Sequence, residues 1–165
     1  MPRELICPIV EYFPVYCEDS RGGANQEVFR VWDDDGAVHP YFQGLKSELQ
    51  KSCGLYIFYD SRGHALYVGQ TAKNNLWAEM KNAYNRDRDV QRIRLVDHPL
   101  GRKRDFNPYT EERRKISERS VPLYELANYF SAYAVAAELI DDLEALLIRA
   151  FANNLLNVHM EKFTE

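Results

Sequence analysis

Two short apolar runs flank a polar turn near the middle of the chain. Leu55-Tyr56-Ile57-Phe58-Tyr59 and Ala65-Leu66-Tyr67-Val68-Gly69 stand on either side of Asp60-Ser61-Arg62-Gly63. The runs are rich in aromatic and β-branched residues, which predicts strands, and the composition between them predicts a turn. A loop of four residues, or of two, sets Tyr59 opposite His64 and hence Tyr56 opposite Tyr67. Facing residues of an antiparallel ladder point to one side of the sheet, so the hairpin should carry two neighbouring phenols.

The pattern continues on both sides of this hairpin. Residues 1 to 26 show no clean periodicity, whereas Glu27-Val28-Phe29-Arg30-Val31-Trp32 has strand character and Asp33-Asp34-Asp35-Gly36 a turn signal. Together they predict a short appended hairpin, followed by a short helix over Gly44 to Lys51. Beyond the central hairpin, Asn74 or Asn75 can cap a helix running from Leu76 to about Arg88. Its apolar stripe is Leu76, Met80, Ala83 and Tyr84. Asp97 to Ser120 is rich in proline, glycine and charge and reads as a long exposed connection. Pro122 can start a short helix to Asn128, Tyr129 to Val135 reads as a third strand, and about Ala136 to Ala152 as an apolar helix closed by Asn153-Asn154.

With 165 residues, 45% of them hydrophobic and 28% charged, the chain reads as an ordinary globular domain. It lacks a signal-peptide pattern and any apolar run of the roughly 20 residues that a membrane span needs. Cys7, Cys17 and Cys53 form no CxxC pair. A cytoplasmic protein with reduced thiols is therefore expected. The net charge of −4 is unevenly spread. Between Arg86 and Arg119 eleven Lys or Arg stand against seven Asp or Glu, so that segment is +4 and the remainder −8. Such asymmetry suits a phosphate-facing surface on an acidic body, and equally a solvated loop.

One carboxylate interrupts an apolar face. Ile140, Glu144, Leu147 and Phe151 follow the spacing of a single helical face, with Leu143, Leu146 and Ile148 beside them. A carboxylate withdrawn from water on such a stripe needs a base, a positive side chain or a metal ion. Alternatively Glu144 sits at the stripe's margin and reaches solvent. Glu138, Asp141 and Asp142 suit the solvated first turn of a helix.

The order of these features resembles the GIY-YIG nuclease superfamily. Its naming motif is matched by Gly54-Leu55-Tyr56 and Tyr67-Val68-Gly69, with ten residues between the tyrosines. Leu143-Glu144-Ala145-Leu146-Leu147-Ile148-Arg149, followed by Asn157-Val158, is similar to the family's closing glutamate helix and asparagine. The resemblance implies an α+β fold: a small three-stranded antiparallel sheet flanked by helices, over residues 52–165, behind an N-terminal extension of residues 1–51 with its short hairpin. It also implies phosphodiester cleavage with one divalent cation, Mg²⁺ or Mn²⁺, held by Glu144. A hard cation accepts oxygen ligands and keeps several waters, so a single protein carboxylate can suffice. Either Tyr56 or Tyr67 would take a proton from the attacking water while the other orients water or phosphate. Gly54 and Gly69 would allow close approach of phosphate or backbone, and Asn157 would tie down a turn.

One position departs from the family pattern. Its usual helix arginine falls three residues beyond a leucine, and counting from Leu76 that position is Glu79. Arg86 lies two helical turns further along nearly the same face and is the substitute we consider first, with Tyr84 in an auxiliary role and Arg88 and Lys81 as competitors. The leading expectation is a metal-dependent endonuclease acting on nucleic acid, DNA foremost. Arg86, Arg88, Arg92, Lys103 and Arg104 would contact the backbone, within a segment whose insert spans about residues 97–120. The alternative is a noncatalytic nucleic-acid-binding or protein-interaction module on the same scaffold. No membrane partner is expected; the oligomeric state is open, and a dimer would suit cleavage of both strands.

Overall fold

A computed structural model of the chain describes residues 5–16, 25–87, 92–97 and 115–151. It is an α+β structure whose main sheet has four antiparallel strands, not three. In chain order the elements are β1 (Ile6–Pro14), α1 (Pro40–Lys51), β2 (Gly54–Tyr59), β3 (Ala65–Thr71), α2 (Leu76–Asn85), β4 (Arg92–Asp97), β5 (Lys115–Ser120), β6 (Tyr129–Val135) and α3 (Ile140–Ala150). The main sheet is ordered β1-β6-β2-β3, and β4 pairs with β5 in a second sheet. The additional strand is β1, from the segment without clean periodicity. Register shifts between Pro8 and Val10 and between Val10 and Phe13 break its alternation, and Tyr12 has a positive φ of 49°.

The hairpin register differs from the expected one by a bulge. Asp60 and His64 close the loop through a backbone hydrogen bond of 2.9 Å, the Gly63 amide donates to the Asp60 carbonyl, and Gly63 has φ +79°. This three-residue loop ends on a left-handed glycine and shifts the ladder between Phe58 and Tyr59. The Asp60 side chain accepts from the His64 and Arg62 amides, which hold its carboxyl below the usual range. Tyr56 consequently faces Gly69, and Tyr67 faces Phe58. The two phenols still share a face, as diagonal neighbours with ring centroids 6.2 Å apart.

Helices cover both faces of the sheet. On one, Leu45 and Leu49 of α1 and Leu76, Trp77, Met80, Ala83 and Tyr84 of α2 share a core with Tyr56, Phe58, Phe130 and Ala132. Val28 and Phe29 are buried in the same core, and the expected strand around them is reduced to a single bridge between Trp32 and Val38. On the other face, Ile140, Leu147 and Ile148 of α3 pack on Leu55, Ile57, Val68 and Val135. Each such large apolar side chain contributes about 1.5–3 kcal/mol on burial. Asn75 caps α2 by accepting from the Ala78 amide, and α2 ends at Asn85, short of the expected Arg88. Helix α1 begins at Pro40, ahead of the expected Gly44, because proline fits the first turn. The last part of the expected exposed connection is the strand β5, and the expected helix after Pro122 is a 3-10 turn over Leu123–Glu125.

Charge also ties the N-terminal segment to α1 and α2. Glu27 accepts from Lys46 at 3.4 Å and from Lys81 at closer range, and Lys46 lies 4.6 Å from the Trp77 ring centre. Partial burial pushes the Glu27 carboxyl up, but the Lys81 hydrogen bond and the two ammonium charges outweigh it, leaving the pKa below its ordinary 4.5. A lowered folded-state value stabilises the protein above the unfolded value and ceases to do so as pH falls through the folded one. Glu27→Gln is thus expected to lose about 1 kcal/mol in urea denaturation at neutral pH, with the gap to wild type narrowing below about pH 4.5. A constant gap from neutral to acid pH would contradict this role.

Candidate active site

One edge of the main sheet is β3, since no further strand pairs with it among the described residues. Alternation places Tyr67 and Gly69 on the α2 face and Val68 and Gln70 on the α3 face. Both helices reach this edge. A cavity of about 210 Å³ opens there, lined by Tyr56, Tyr67, Gly69, Gln70, Glu79, Asn82, Ala83, Arg86 and Glu144. Four of the five side chains expected in chemistry thus line one hollow, drawn from both faces of the sheet.

Tyr56 is 3% exposed, and its hydroxyl donates to the Glu79 carbonyl at 3.4 Å. Its ring lies directly over Gly69, where a Cβ would come within 2.3 Å of the Tyr56 Cζ and Oη. Gly69 therefore makes room for a phenol, where close approach of phosphate or backbone was expected. Gly54 has φ +152°, and a Cβ there would stand 2.0 Å from the Tyr133 carbonyl oxygen, so its role is close backbone packing. Tyr67 is half-buried and open to the cavity.

Helix α2 supplies Glu79, Asn82 and Ala83 along one face, and Arg86, its exposed C-cap, completes the series. The Glu79 carboxylate accepts from the Asn74 side-chain amide at 2.7 Å. Arg86 and Asn82 also border a second hollow of about 440 Å³, with Asn25, Lys81 and Asn85. Lys81, the competing cation, is engaged by Glu27.

Tyr84 is a correction. It is fully buried, stacks on Phe58 at 5.5 Å and donates its hydroxyl to the Tyr16 carbonyl at 3.0 Å. Water and phosphate have no access to it, and the auxiliary role expected for it falls away. It faces the core because it continues the apolar stripe of α2.

Glu144 is half-buried. Its helix buries Ile140, Ala145 and Ile148, while Leu146 is 53% exposed, so Glu144 sits on the margin of the apolar stripe and not at its centre. Arg92 opens β4, paired with Ser120. Arg88, Lys103, Arg104 and Asn157 lie outside the described residues.

The side-chain donors of the lining suited to a cation are all oxygens: two carboxylates, the Gln70 and Asn82 amides and two phenols. Hard divalent cations favour such a set. Gln70 Oε1 is buried and meets no donor among the described residues, so an electrophilic neighbour would satisfy it. The donor chemistry therefore fits Mg²⁺ or Mn²⁺. Among the described residues there is no group of three or more His, Cys, Asp or Glu that could hold a metal ion, and a cation here would draw on at most two carboxylates with neutral oxygens and water.

Sequence reasoning did not single out Gln70 or Asn82. The signal for Asn82 was its place between Glu79 and Arg86 on the helix surface. For Gln70 it was adjacency to Gly69, masked because alternation sends its side chain to the opposite face. Comparison with protein-family models, curated proteins and solved structures finds no match to the chain. Among the described residues no helix is long and apolar enough to cross a membrane.

The contact between Gly69 and Tyr56 is directly testable. Gly69→Ala is expected to cost about 1–3 kcal/mol in chemical denaturation, since the added methyl overpacks against a buried ring. A loss below about 0.3 kcal/mol would show that the phenol moves aside freely.

Proposed function

We propose that the chain is a divalent-cation-dependent phosphodiesterase of the GIY-YIG kind, acting on nucleic acid with DNA as the foremost substrate. The observation that carries this reading is the shared cavity of Tyr56, Tyr67, Arg86 and Glu144. These residues are up to 88 positions apart in sequence; the resemblance selected Tyr56, Tyr67 and Glu144 for phosphate chemistry, and Arg86 was the substitute considered for the family's helix arginine.

The charges lining the cavity support a cation requirement. Glu79 and Glu144 stand against the single guanidinium of Arg86. A phosphodiester is an anion and would be repelled from such a lining without further positive charge. A bound divalent cation would supply that charge and polarise the phosphoryl oxygen; Glu144 is the residue to hold it.

The remaining roles follow from access and charge. Arg86, exposed at the cavity rim, pairs with a phosphate oxygen. Tyr67, the better exposed phenol, takes the proton of the attacking water. Tyr56, with its hydroxyl directed at the Glu79 carbonyl, fixes the wall against which the phosphate rests. Water oxygen bonds to phosphorus, the bond from phosphorus to the leaving sugar oxygen breaks, and that oxygen takes a proton from solvent. The excess of carboxylates also favours a second reading, a noncatalytic binding module on this scaffold.

Plasmid nicking in Mg²⁺ separates the two. Wild type is expected to nick, Glu144→Ala to lose at least a hundredfold in rate, and Tyr67→Phe to lose roughly 10²–10⁴-fold, more than Tyr56→Phe. Arg86→Ala should weaken turnover with little change in thermal stability. Wild-type protein that binds DNA without nicking it would favour the noncatalytic module, and unchanged turnover in Arg86→Ala would remove that residue from the site.

A further inference from the structure

The side chain of Gln70 is held from one end only. Its Nε2 donates to Asp141 Oδ1 at 3.4 Å, while Oε1 is buried with no donor among the described residues. Reversing the amide would not relieve this, because two oxygens would then face each other at Asp141. Asp141 thus fixes which end of the amide is left over. An unmet buried carbonyl oxygen costs roughly 1–3 kcal/mol and calls for an explanation.

Its surroundings indicate what would meet it. Gln70 lies on the α3 face of β3, and Asp141 and Glu144 are neighbours at i and i+3 on α3. The hydrogen bond to Asp141 therefore brings the Gln70 amide beside the helical turn that carries Glu144, and both residues line the same cavity. A neutral amide oxygen next to a carboxylate is poorly placed to receive an anion. It is well placed to share a cation, since hard divalent ions take amide carbonyls together with carboxylates.

We propose that Gln70 Oε1 is a second protein ligand for a divalent cation held by Glu144, with Asp141 orienting the amide. This deepens the phosphodiesterase reading and rests on its cation site. Strand β3 then supplies one ligand and helix α3 the other, and the cation bridges the two elements. The neutral donor adds an oxygen without adding to the negative charge that an incoming phosphodiester must overcome.

Mn²⁺ binding to the full chain tests this without reference to turnover, by calorimetry and by loss of the free-ion electron paramagnetic resonance signal. Wild type is expected to bind one Mn²⁺, and Glu144→Gln and Gln70→Leu each to weaken binding roughly tenfold or more. Gln70→Glu keeps an oxygen at the position and should bind at least as tightly as wild type. Should the leucine variant fold poorly by circular dichroism, the glutamate variant decides, and weaker binding than wild type overturns the assignment. Mn²⁺ affinity within twofold of wild type in folded Gln70→Leu also overturns it, while a loss in Glu144→Gln leaves the cation site standing. Absence of Mn²⁺ binding by wild type overturns it together with that site. Wild-type protein that binds Mn²⁺ through Gln70 and Glu144 but never nicks DNA would retain this inference and reject the phosphodiesterase.

Discussion

The left-handed glycine at position 63 controls the geometry of the cavity wall. With φ at +79° it ends the β2–β3 loop after three residues and moves the ladder out of the register that a two- or four-residue loop would impose. In that other register Tyr56 and Tyr67 would stand opposite each other, competing for the same space above the sheet. In the observed one Tyr56 faces Gly69, whose missing side chain leaves a trough for the ring. Tyr56 lies down and is buried; Tyr67, one diagonal step away, stays at the cavity mouth. Two chemically identical side chains thereby acquire different access to solvent from a single backbone turn.

The second constraint is the position of β3 at an edge of the main sheet. A central strand separates the helices on its two faces, and side chains from opposite faces cannot meet across it. At an edge they can. Residues of α2, from Glu79 to Arg86, approach from one side and Glu144 of α3 from the other, with Gln70 on the α3 face of the same strand. This arrangement also sets the electrostatics: two carboxylates and one guanidinium converge where the core thins, so their charges are less screened than on an open surface and less desolvated than in the interior.

How much of this the sequence disclosed varied with the strength of the local pattern. The strands Leu55–Tyr59 and Tyr129–Val135, the cap at Asn75 and the stripe Leu76, Met80, Ala83 and Tyr84 were all legible, because each has an unambiguous period or cap. Strand β1 was not. Its two register shifts and the positive φ of Tyr12 destroy alternation, and its pairing with β6 joins residues more than a hundred positions apart. Strand β5 was hidden by its charge, as Lys115, Glu118 and Arg119 read as solvated loop. Within the site, Tyr56, Tyr67 and Glu144 were singled out by their order along the chain, and Arg86 by its place two helical turns beyond Glu79. Tyr84 was misjudged because its place in the helix was weighed against a family pattern, although its own membership of the apolar stripe already assigned it to the core.

In the proposed phosphodiesterase, Glu79 stands where the resembled family has an arginine, which looks unfavourable for phosphate when taken alone. Its setting alters that conclusion. The Glu79 carboxylate is engaged by the Asn74 amide, and its backbone carbonyl accepts the Tyr56 hydroxyl, so this one residue anchors both the strand-to-helix connection and a phenol of the wall. Arg86 stands two turns further along the helix, at a C-cap where the helix dipole favours a cation and the side chain is exposed. An arginine at 79 would occupy a half-buried position, whereas Arg86 is exposed and also borders the adjoining 440 Å³ hollow. Anionic ligand would then be drawn in from the rim while carboxylates hold the floor. In the proposed phosphodiesterase that polarity would leave the carboxylates to a cation and the rim to a phosphate.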